Sequence, residues 1–171
     1  MRVPIGSNVR ILVVDDEPSI VEVIAQACTR DGHDVASALS SLEALEHLAK
    51  HSIDLLITDI AMPPPDGLQL IREARSIQAP MMTLAMTGHL GPYTVADVQA
   101  CGASDLMYKP LRLEELRARI AFADQRRRMI EGLHARRREL QQMCTDMIKG
   151  LQTELEEARK ALRTARIPQP H

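Results

Sequence analysis

The strongest constraint on the fold is an alternation of short aliphatic runs with segments of helical period through the first 110 residues. Each run is bounded by turn-forming residues, and five strands are predicted, at 9–14, 35–39, 53–58, 80–86 and 106–108. Strands separated in this way by helices pair in parallel, with right-handed crossovers. We therefore predict an α/β fold, a doubly wound five-stranded parallel sheet.

The helices between these strands carry recognisable start and stop signals. Pro18 begins the first helix and Gly32 ends it. Ser40 and Glu43 have the spacing of a capping box for the second helix. The third helix is predicted at 67–76 and the fourth at about 94–101.

From Leu113 to Arg166 the pattern predicts one long helix. No proline occurs between Pro110 and Pro168, and small or apolar residues recur at steps of mostly three and four, at positions 133, 140, 144, 147, 151, 155, 158, 162 and 165. Such a seam needs a partner helix. We expect a globular domain at 1–122, and at 123–171 a coiled-coil extension with a short proline-containing tail.

Charge divides the chain in the same place. Residues 1–110 carry 7 Lys and Arg against 14 Asp and Glu, whereas residues 111–171 carry 14 against 9. The sequence shows no apolar leader and no run long enough to span a membrane, and its 3 cysteines are widely spaced. We expect a cytoplasmic protein.

Polar residues gather at the carboxyl ends of the predicted strands. Asp15 and Asp16 follow the first strand, Asp59 the third, Thr87 the fourth and Lys109 the fifth. Because these strand ends form the ligand crevice of an open parallel sheet, the side chains should converge. Crowded carboxylates need a cation, and hard oxygen ligands suit Mg²⁺. One carboxylate could then attack phosphorus, with an ammonium and a hydroxyl holding the phosphoryl oxygens.

Four motifs at these strand ends, "VVDDEP", "DIAMPPPDG", "MTGH" and "KP", resemble the receiver domain of bacterial two-component response regulators over residues 9 to about 122. The resemblance implies the flavodoxin-like strand order 2-1-3-4-5. It also implies a signalling protein rather than an enzyme, with a sensor histidine kinase or phosphotransfer protein as its partner.

The resemblance further implies a role for each site residue. Asp59 would be the phosphoacceptor, while Thr87 and Lys109 would bind the acyl phosphate. Mg²⁺ would be held by Asp15, Asp16, Asp59 and the backbone carbonyl of Ala61, with Asp15 acting partly through water. Backbone N–H groups near Ile60, Ala61 and Gly88 would assist.

The chain departs from the family pattern in its switch region, which comprises Thr87, Gly88, Leu106 and Tyr108. Leu106 stands where the family usually has an aromatic residue, and Tyr108, on the same face of the strand, is a possible substitute. Ala61 and His89 flank the site where side chains tune the lifetime of the phosphoryl group in this family.

Several functions stay open on the sequence alone. The first is a regulator acting by protein–protein interaction as a parallel homodimer through 123–166. The second is the N-terminal part of a longer regulator whose helix leads to an enzymatic or DNA-binding output domain. An aspartate phosphohydrolase would need an acid at position 61, and nucleic-acid binding rests only on two arginine triplets, 126–128 and 136–138, which fit a solvated helix surface better.

Overall fold

The computed structural model describes residues 8–88 and 91–165. Three parts of the sequence named above lie outside the described residues: the first seven residues, His89 and the tail after 165. The strands are β1 Arg10–Val14, β2 Asp34–Ala38, β3 Leu55–Asp59, β4 Met82–Thr87 and β5 Asp105–Tyr108. The helices are α1 Pro18–Arg30, α2 Ser41–Lys50, α3 Gly67–Ile77, α4 Val95–Ala100 and α5 Leu113–Ala165.

The strands form one parallel sheet in the order β2-β1-β3-β4-β5. This confirms the predicted doubly wound α/β fold and its strand order. Two strands begin two residues later than predicted, for local reasons. Ile53 donates its amide to Gln78 Oε1 at 2.8 Å rather than to a neighbouring strand, and Pro80 has no amide to donate.

Two apolar layers cover the two faces of the sheet. Successive strand residues point to opposite faces, so that Leu12 and Leu56 belong to one buried cluster while Ile11 and Ile57 belong to the other. All four side chains are fully buried. Because both faces of the sheet are covered, the buried residues of β1 and β3 are mostly aliphatic.

The helix caps agree with the sequence in part. Ser40 Oγ accepts the amide of Glu43 at 3.2 Å, as the predicted capping box requires, although the Glu43 carboxylate accepts from Leu39 N at 2.8 Å. A complete capping box at Thr94 and Asp97 begins α4 and was not predicted. Its acid is an aspartate, shorter than the glutamate of the usual pattern.

Helix α5 runs through both compact units of the chain, which divide between Ile130 and Glu131. In the first unit Leu116 and Ile120 are buried beneath the sheet. From Glu131 to Arg163 every side chain is exposed. The sequence-based boundary at 122/123 stays a prediction. Within the described part of the chain, no helix is both apolar and long enough to cross a membrane.

A network of charges joins the amino-terminal edge of the sheet to α5. The buried carboxylate of Asp54, just before β3, accepts hydrogen bonds from Arg10 N, Nε and Nη2 at 3.0, 3.1 and 2.8 Å. Arg127 Nη1 lies 3.6 Å from Asp54 Oδ1, and its Nη2 donates to Asp124 at 2.8 Å. One buried acid beside β3 thus holds an arginine of β1 and an arginine of α5.

A close backbone contact fixes the loop between β3 and α3. Gly67 donates its amide to Ile60 O at 3.1 Å. A Cβ added at Gly67 would lie 1.9 Å from the backbone oxygen of Asp59. Only glycine allows the start of α3 to approach the end of β3 this closely.

We predict that Asp54→Asn lowers the free energy of unfolding by about 1.5–3 kcal/mol, because charge-assisted hydrogen bonds are lost while Arg10 and Arg127 keep their charges. Burial raises the pKa of Asp54, but its hydrogen bonds to Arg10 outweigh burial, and the pKa lies below its ordinary 3.8. The contribution of Asp54 should therefore be present above pH 3.8 and decline as the pH falls below that value.

Urea unfolding followed by circular dichroism at several pH values measures both effects. Glu46→Gln, at an exposed acid on α2, is the matched control and should leave stability unchanged. Equal stability of wild type and Asp54→Asn at pH 7 would contradict the prediction.

We predict that Gly67→Ala lowers the free energy of unfolding by about 1–3 kcal/mol, because the new methyl group must displace backbone rather than a flexible side chain. Gly132→Ala is the matched control, since nothing lies within 4 Å of its added Cβ. It should stabilise the chain by up to about 1 kcal/mol through helix propensity. Opposite signs in urea unfolding are expected, and destabilisation by both substitutions would refute the contact argument.

Candidate functional site

Two of the acids stand at the carboxyl end of β1. Asp15 is fully buried, and its Oδ1 accepts the backbone amide of Glu17 at 3.0 Å. Asp16 is exposed. The chain turns here from β1 into α1, and proline at the first position of that helix fixes where the turn ends. One carboxylate therefore faces the interior of the crevice and the other faces solvent.

Asp59 ends β3 and is nearly buried, with 5% of its surface exposed. The backbone amide of Ile60 donates to Asp59 Oδ1 at 2.8 Å and also to the carbonyl of Met86 on β4 at 2.9 Å. The carboxylate is therefore held against its own backbone, and Oδ2 is directed toward the crevice where Lys109 approaches.

Lys109 brings the two buried acids together. Its Nζ lies 2.7 Å from Asp15 Oδ2 and 3.1 Å from Asp59 Oδ2. Its backbone amide donates to the carbonyl of Thr87 at 2.8 Å, which places the lysine beside the buried end of β4. Residues separated by 94 and 50 positions in the chain thus meet at one point.

The charge of Lys109 is secured by the same contacts. Burial lowers the pKa of Lys109, but its hydrogen bonds to Asp15 and Asp59 outweigh that effect and raise the pKa above the ordinary 10.5. The side chain is therefore a fixed ammonium at neutral pH. It can hold an anionic oxygen, and it cannot act as a base there.

Three carboxylates in this crevice suit a divalent cation. One oxygen from each of Asp15, Asp16 and Asp59 can be chosen so that all three lie within 4.8 Å of one another. With Lys109, the formal charge of the cluster is −2, which a divalent ion would balance. The donors are all oxygens and one is solvent-facing, as Mg²⁺ with retained waters requires.

The other predicted site residues differ in how deeply they are buried. Thr87 is buried, while Ala61 and Gly88 are exposed. Leu106 is half-buried and packs against the core layer, whereas Tyr108 is 52% exposed. The backbone amides of Glu17 and Ile60 were not predicted as partners of the carboxylates, nor was the close approach of Gly67 to the backbone carbonyl of Asp59. The glycine after "PPPD" was the available signal for the last of these.

Two other groups of side chains, a histidine pair at the end of α2 and the arginine triplets on α5, lie outside this cluster. The rings of His47 and His51 lie 4.5 Å apart on α2. Within the described residues, the one cluster suited to a metal is that of Asp15, Asp16 and Asp59. In the first arginine triplet, Arg127 and Arg128 both pair with Asp124, and in the second Arg136 pairs with Glu139 at 2.6 Å.

Comparison with known proteins agrees with this geometry. Residues 11–121 match the response regulator receiver domain family. The transcriptional regulatory protein TrcR of Mycobacterium tuberculosis is 36% identical over 115 residues, which is 67% of this chain and 45% of TrcR. The virulence transcriptional regulatory protein PhoP of Salmonella typhimurium is 34% identical over 65% of this chain and 50% of PhoP. The chain therefore spans about half the length of these relatives.

Solved structures give the same result. A response regulator receiver domain protein from Clostridium thermocellum superposes with a TM-score of 0.67 at 32% identity, covering 71% of this chain and 98% of that one. Residues 11–121, which match the family, contain every acid of the crevice as well as Thr87 and Lys109. The chain belongs to the response regulator receiver domain family of two-component signalling.

Proposed function

We propose that this chain accepts a phosphoryl group on Asp59 from the phosphohistidine of a sensor histidine kinase or phosphotransfer protein, in the cytoplasm, and passes the signal on through α5. The proposal is carried by one observation. At the carboxyl edge of the sheet, Lys109 Nζ lies 2.7 Å from Asp15 Oδ2 and 3.1 Å from Asp59 Oδ2. A nucleophile, its charge partner and a cation-binding acid are the components that phosphoryl transfer to a carboxylate needs.

Mg²⁺ is the proposed cofactor, held by Asp15, Asp16, Asp59 and the carbonyl of Ala61. When bound, it would screen the repulsion between the carboxylates and the incoming phosphoryl oxygens. The fit rests on the formal charge of −2 and on the spacing of the three carboxylates. Asp15 and Lys109 are already paired at 2.7 Å, so binding of the cation should compete with the ammonium for that carboxylate.

The residues of the chain then have separate tasks. An oxygen of Asp59 attacks phosphorus, the P–N bond to the donor histidine breaks, and an acyl phosphate forms. The ammonium of Lys109 and the hydroxyl of Thr87 bind two of the phosphoryl oxygens, and amides near Ile60, Ala61 and Gly88 assist. An aspartate phosphohydrolase is disfavoured because residue 61 is alanine, which offers no side-chain acid for a leaving group or water.

The switch is proposed to run through Thr87, Gly88, Leu106 and Tyr108. Thr87 and Tyr108 are register partners on β4 and β5, so a movement of the threonine toward a phosphoryl group acts directly on the last strand. Leu106 is half-buried and packs against the core. Tyr108, with its exposed ring, is the better candidate for a side chain that a partner reads.

The output is proposed to be a homodimer formed through 123–166 as a coiled coil, its register or exposed face altered by phosphorylation. Large apolar side chains stand exposed along this helix, among them Leu133 at 61%, Met147 at 63% and Leu162 at 69%. Exposure of this extent in a regular stripe is typical of a helix that pairs.

A second candidate is that α5 connects the receiver to an output domain, enzymatic or DNA-binding, in a longer protein. The observation that favours it is that the chain spans about half of TrcR and PhoP, whose names describe transcriptional regulators. Direct nucleic-acid binding by the arginine triplets is the weaker proposal, because Arg127, Arg128 and Arg136 are engaged by acids of the same helix.

We predict that Asp59→Asn abolishes phosphoryl uptake, because the amide is not a nucleophile toward phosphorus. Uptake is measured by intact-protein mass spectrometry after incubation with acetyl phosphate and Mg²⁺. Asp34→Asn, at an exposed aspartate that begins β2, is the matched control and should retain full uptake. Uptake by the Asp59 variant, or uptake in excess EDTA, would contradict the proposed chemistry.

Wild type and Asp59→Asn also test the coupling between the site and α5. Light scattering on a sizing column, with and without beryllofluoride as a phosphoryl mimic, should show a change of mass or shape in wild type and none in Asp59→Asn. A wild-type dimer that is identical in both conditions would show that the helix is a constitutive stalk and would overturn the coupling.

We predict that Lys109→Met has opposite effects on the two ligands of the site. Mg²⁺ should bind more tightly, because the ammonium no longer competes for Asp15 and Asp59, and calorimetric titration measures this. Phosphoryl uptake should slow by about a hundredfold or more, because a charged group that stabilises the transferring oxygens is lost. Lys50→Met, at an exposed lysine on α2, should change neither quantity. Unchanged uptake would remove Lys109 from the proposed mechanism.

A further inference from the structure

The exposed apolar stripe of α5 starts earlier than the seam read from the sequence. Phe122 is 61% exposed and Met129 is 69% exposed. At about 100° per residue, both lie within the same arc of roughly 80° as Leu133, Leu140 and Leu162. By this helical register, the apolar positions of α5 extend from 122 to 162 in the sequence.

The stripe is nearly symmetric about Gln142. Positions equally far before and after Gln142 carry matching residues, in the pairs Phe122 and Leu162, Met129 and Leu155, Leu133 and Leu151, and Leu140 and the exposed Cys144. An antiparallel pair of identical helices requires this symmetry, because each apolar residue then meets an apolar residue of the other copy. The symmetry is incomplete. Met147 and Ala158 of the seam would meet Arg137 and Arg126, whose aliphatic stems can cover them, and the exposed Met143 and Ile148 would meet Gln141 and Arg136.

The net charge of α5 changes sign between the segment before Gln142 and the segment after it. The basic segment, 126–138, contains six arginines and one glutamate, for a formal charge of +5. The acidic segment, 146–158, contains one aspartate, three glutamates and one lysine, for a formal charge of −3. Reflection about Gln142 places these two segments side by side.

A parallel pair would instead place the basic segment beside itself. Two copies of the basic segment would lie beside each other across a helix pair whose axes are about 10 Å apart, comparable to the Debye length in physiological salt, although Arg127 of each copy points toward Asp54 of its own domain. The acids of the same helix neutralise part of this charge, since Arg127 and Arg128 pair with Asp124 and Arg136 pairs with Glu139. The charge pattern thus argues against the parallel pair expected from the sequence.

We propose that the partner of this helix is a second copy of the chain running antiparallel, centred on Gln142, with the basic segment of each copy against the acidic segment of the other. The proposal rests on the homodimer of the proposed function and specifies its direction. Apolar pairing sets the register on Gln142, and the charge pattern favours the antiparallel direction.

Directed disulfide trapping tests the direction. Two variants are made in a Cys144→Ser background. Arg126→Cys places a thiol 16 residues before Gln142, and Ala158→Cys places one 16 residues after it. Both positions are exposed. The two remaining native cysteines are buried, and burial raises the pKa of Cys28 to about 12 and that of Cys101 above its ordinary value, so neither should crosslink. The two variants are oxidised separately and after refolding together.

The antiparallel dimer should give a crosslinked species in the mixture and none in either variant alone. Crosslinking of each variant alone would show a parallel dimer and overturn the proposal. A dimer by light scattering that crosslinks in no sample would overturn the register on Gln142. A monomer by light scattering at micromolar concentration would overturn the homodimer itself, which separates failure of the proposed function from failure of the direction.

Salt gives an independent measurement on the unmodified chain. Raising the ionic strength from about 0.1 to 1 M shortens the screening length from about 10 to 3 Å. Dissociation of an antiparallel dimer should become several-fold easier by sedimentation equilibrium, because its attraction is screened. A dimer that tightens with salt would indicate facing like charges and overturn the proposal.

Discussion

The pairing of one lysine with two buried acids is the contact on which the rest of the site depends. Asp15 and Asp59 are nearly inaccessible to water, and two carboxylates in such a place repel each other strongly. The ammonium of Lys109, at 2.7 and 3.1 Å, makes their burial tolerable. The parallel alignment of β1, β3 and β5 in the sheet brings these three strand ends to one edge.

That arrangement was largely predictable from the sequence. A parallel sheet has one carboxyl edge, so a polar residue directly after an aliphatic run can be placed without coordinates. Asp15, Asp59, Thr87 and Lys109 are located where this rule puts them. The rule does not reach contacts made by backbone. The amides of Glu17 and Ile60, which hold the two acids, depend on loop conformation that residue types alone do not specify.

The opposite edge of the sheet was less accessible to prediction. Asp54 interrupts an aliphatic run, and the sequence offers no indication that its partners are Arg10, 44 positions away, and Arg127 on the last helix. Arg127 belongs to a triplet that resembles a solvated or nucleic-acid-binding surface. Only the packing of α5 shows that one member of the triplet points into the protein and that its neighbour Arg128 is held by Asp124.

The Asp54 network ends at Arg127, and the two parts of α5 on either side of this point should differ in hydrogen exchange. Amides up to Arg127 are tied to the sheet through a buried charge, so hydrogen exchange there should require the same global unfolding that opens the core. After Glu131 the described side chains are exposed, and an isolated helix would exchange by local fraying. The protection factors of this segment therefore report on helix pairing alone, and the receiver fold contributes nothing to them.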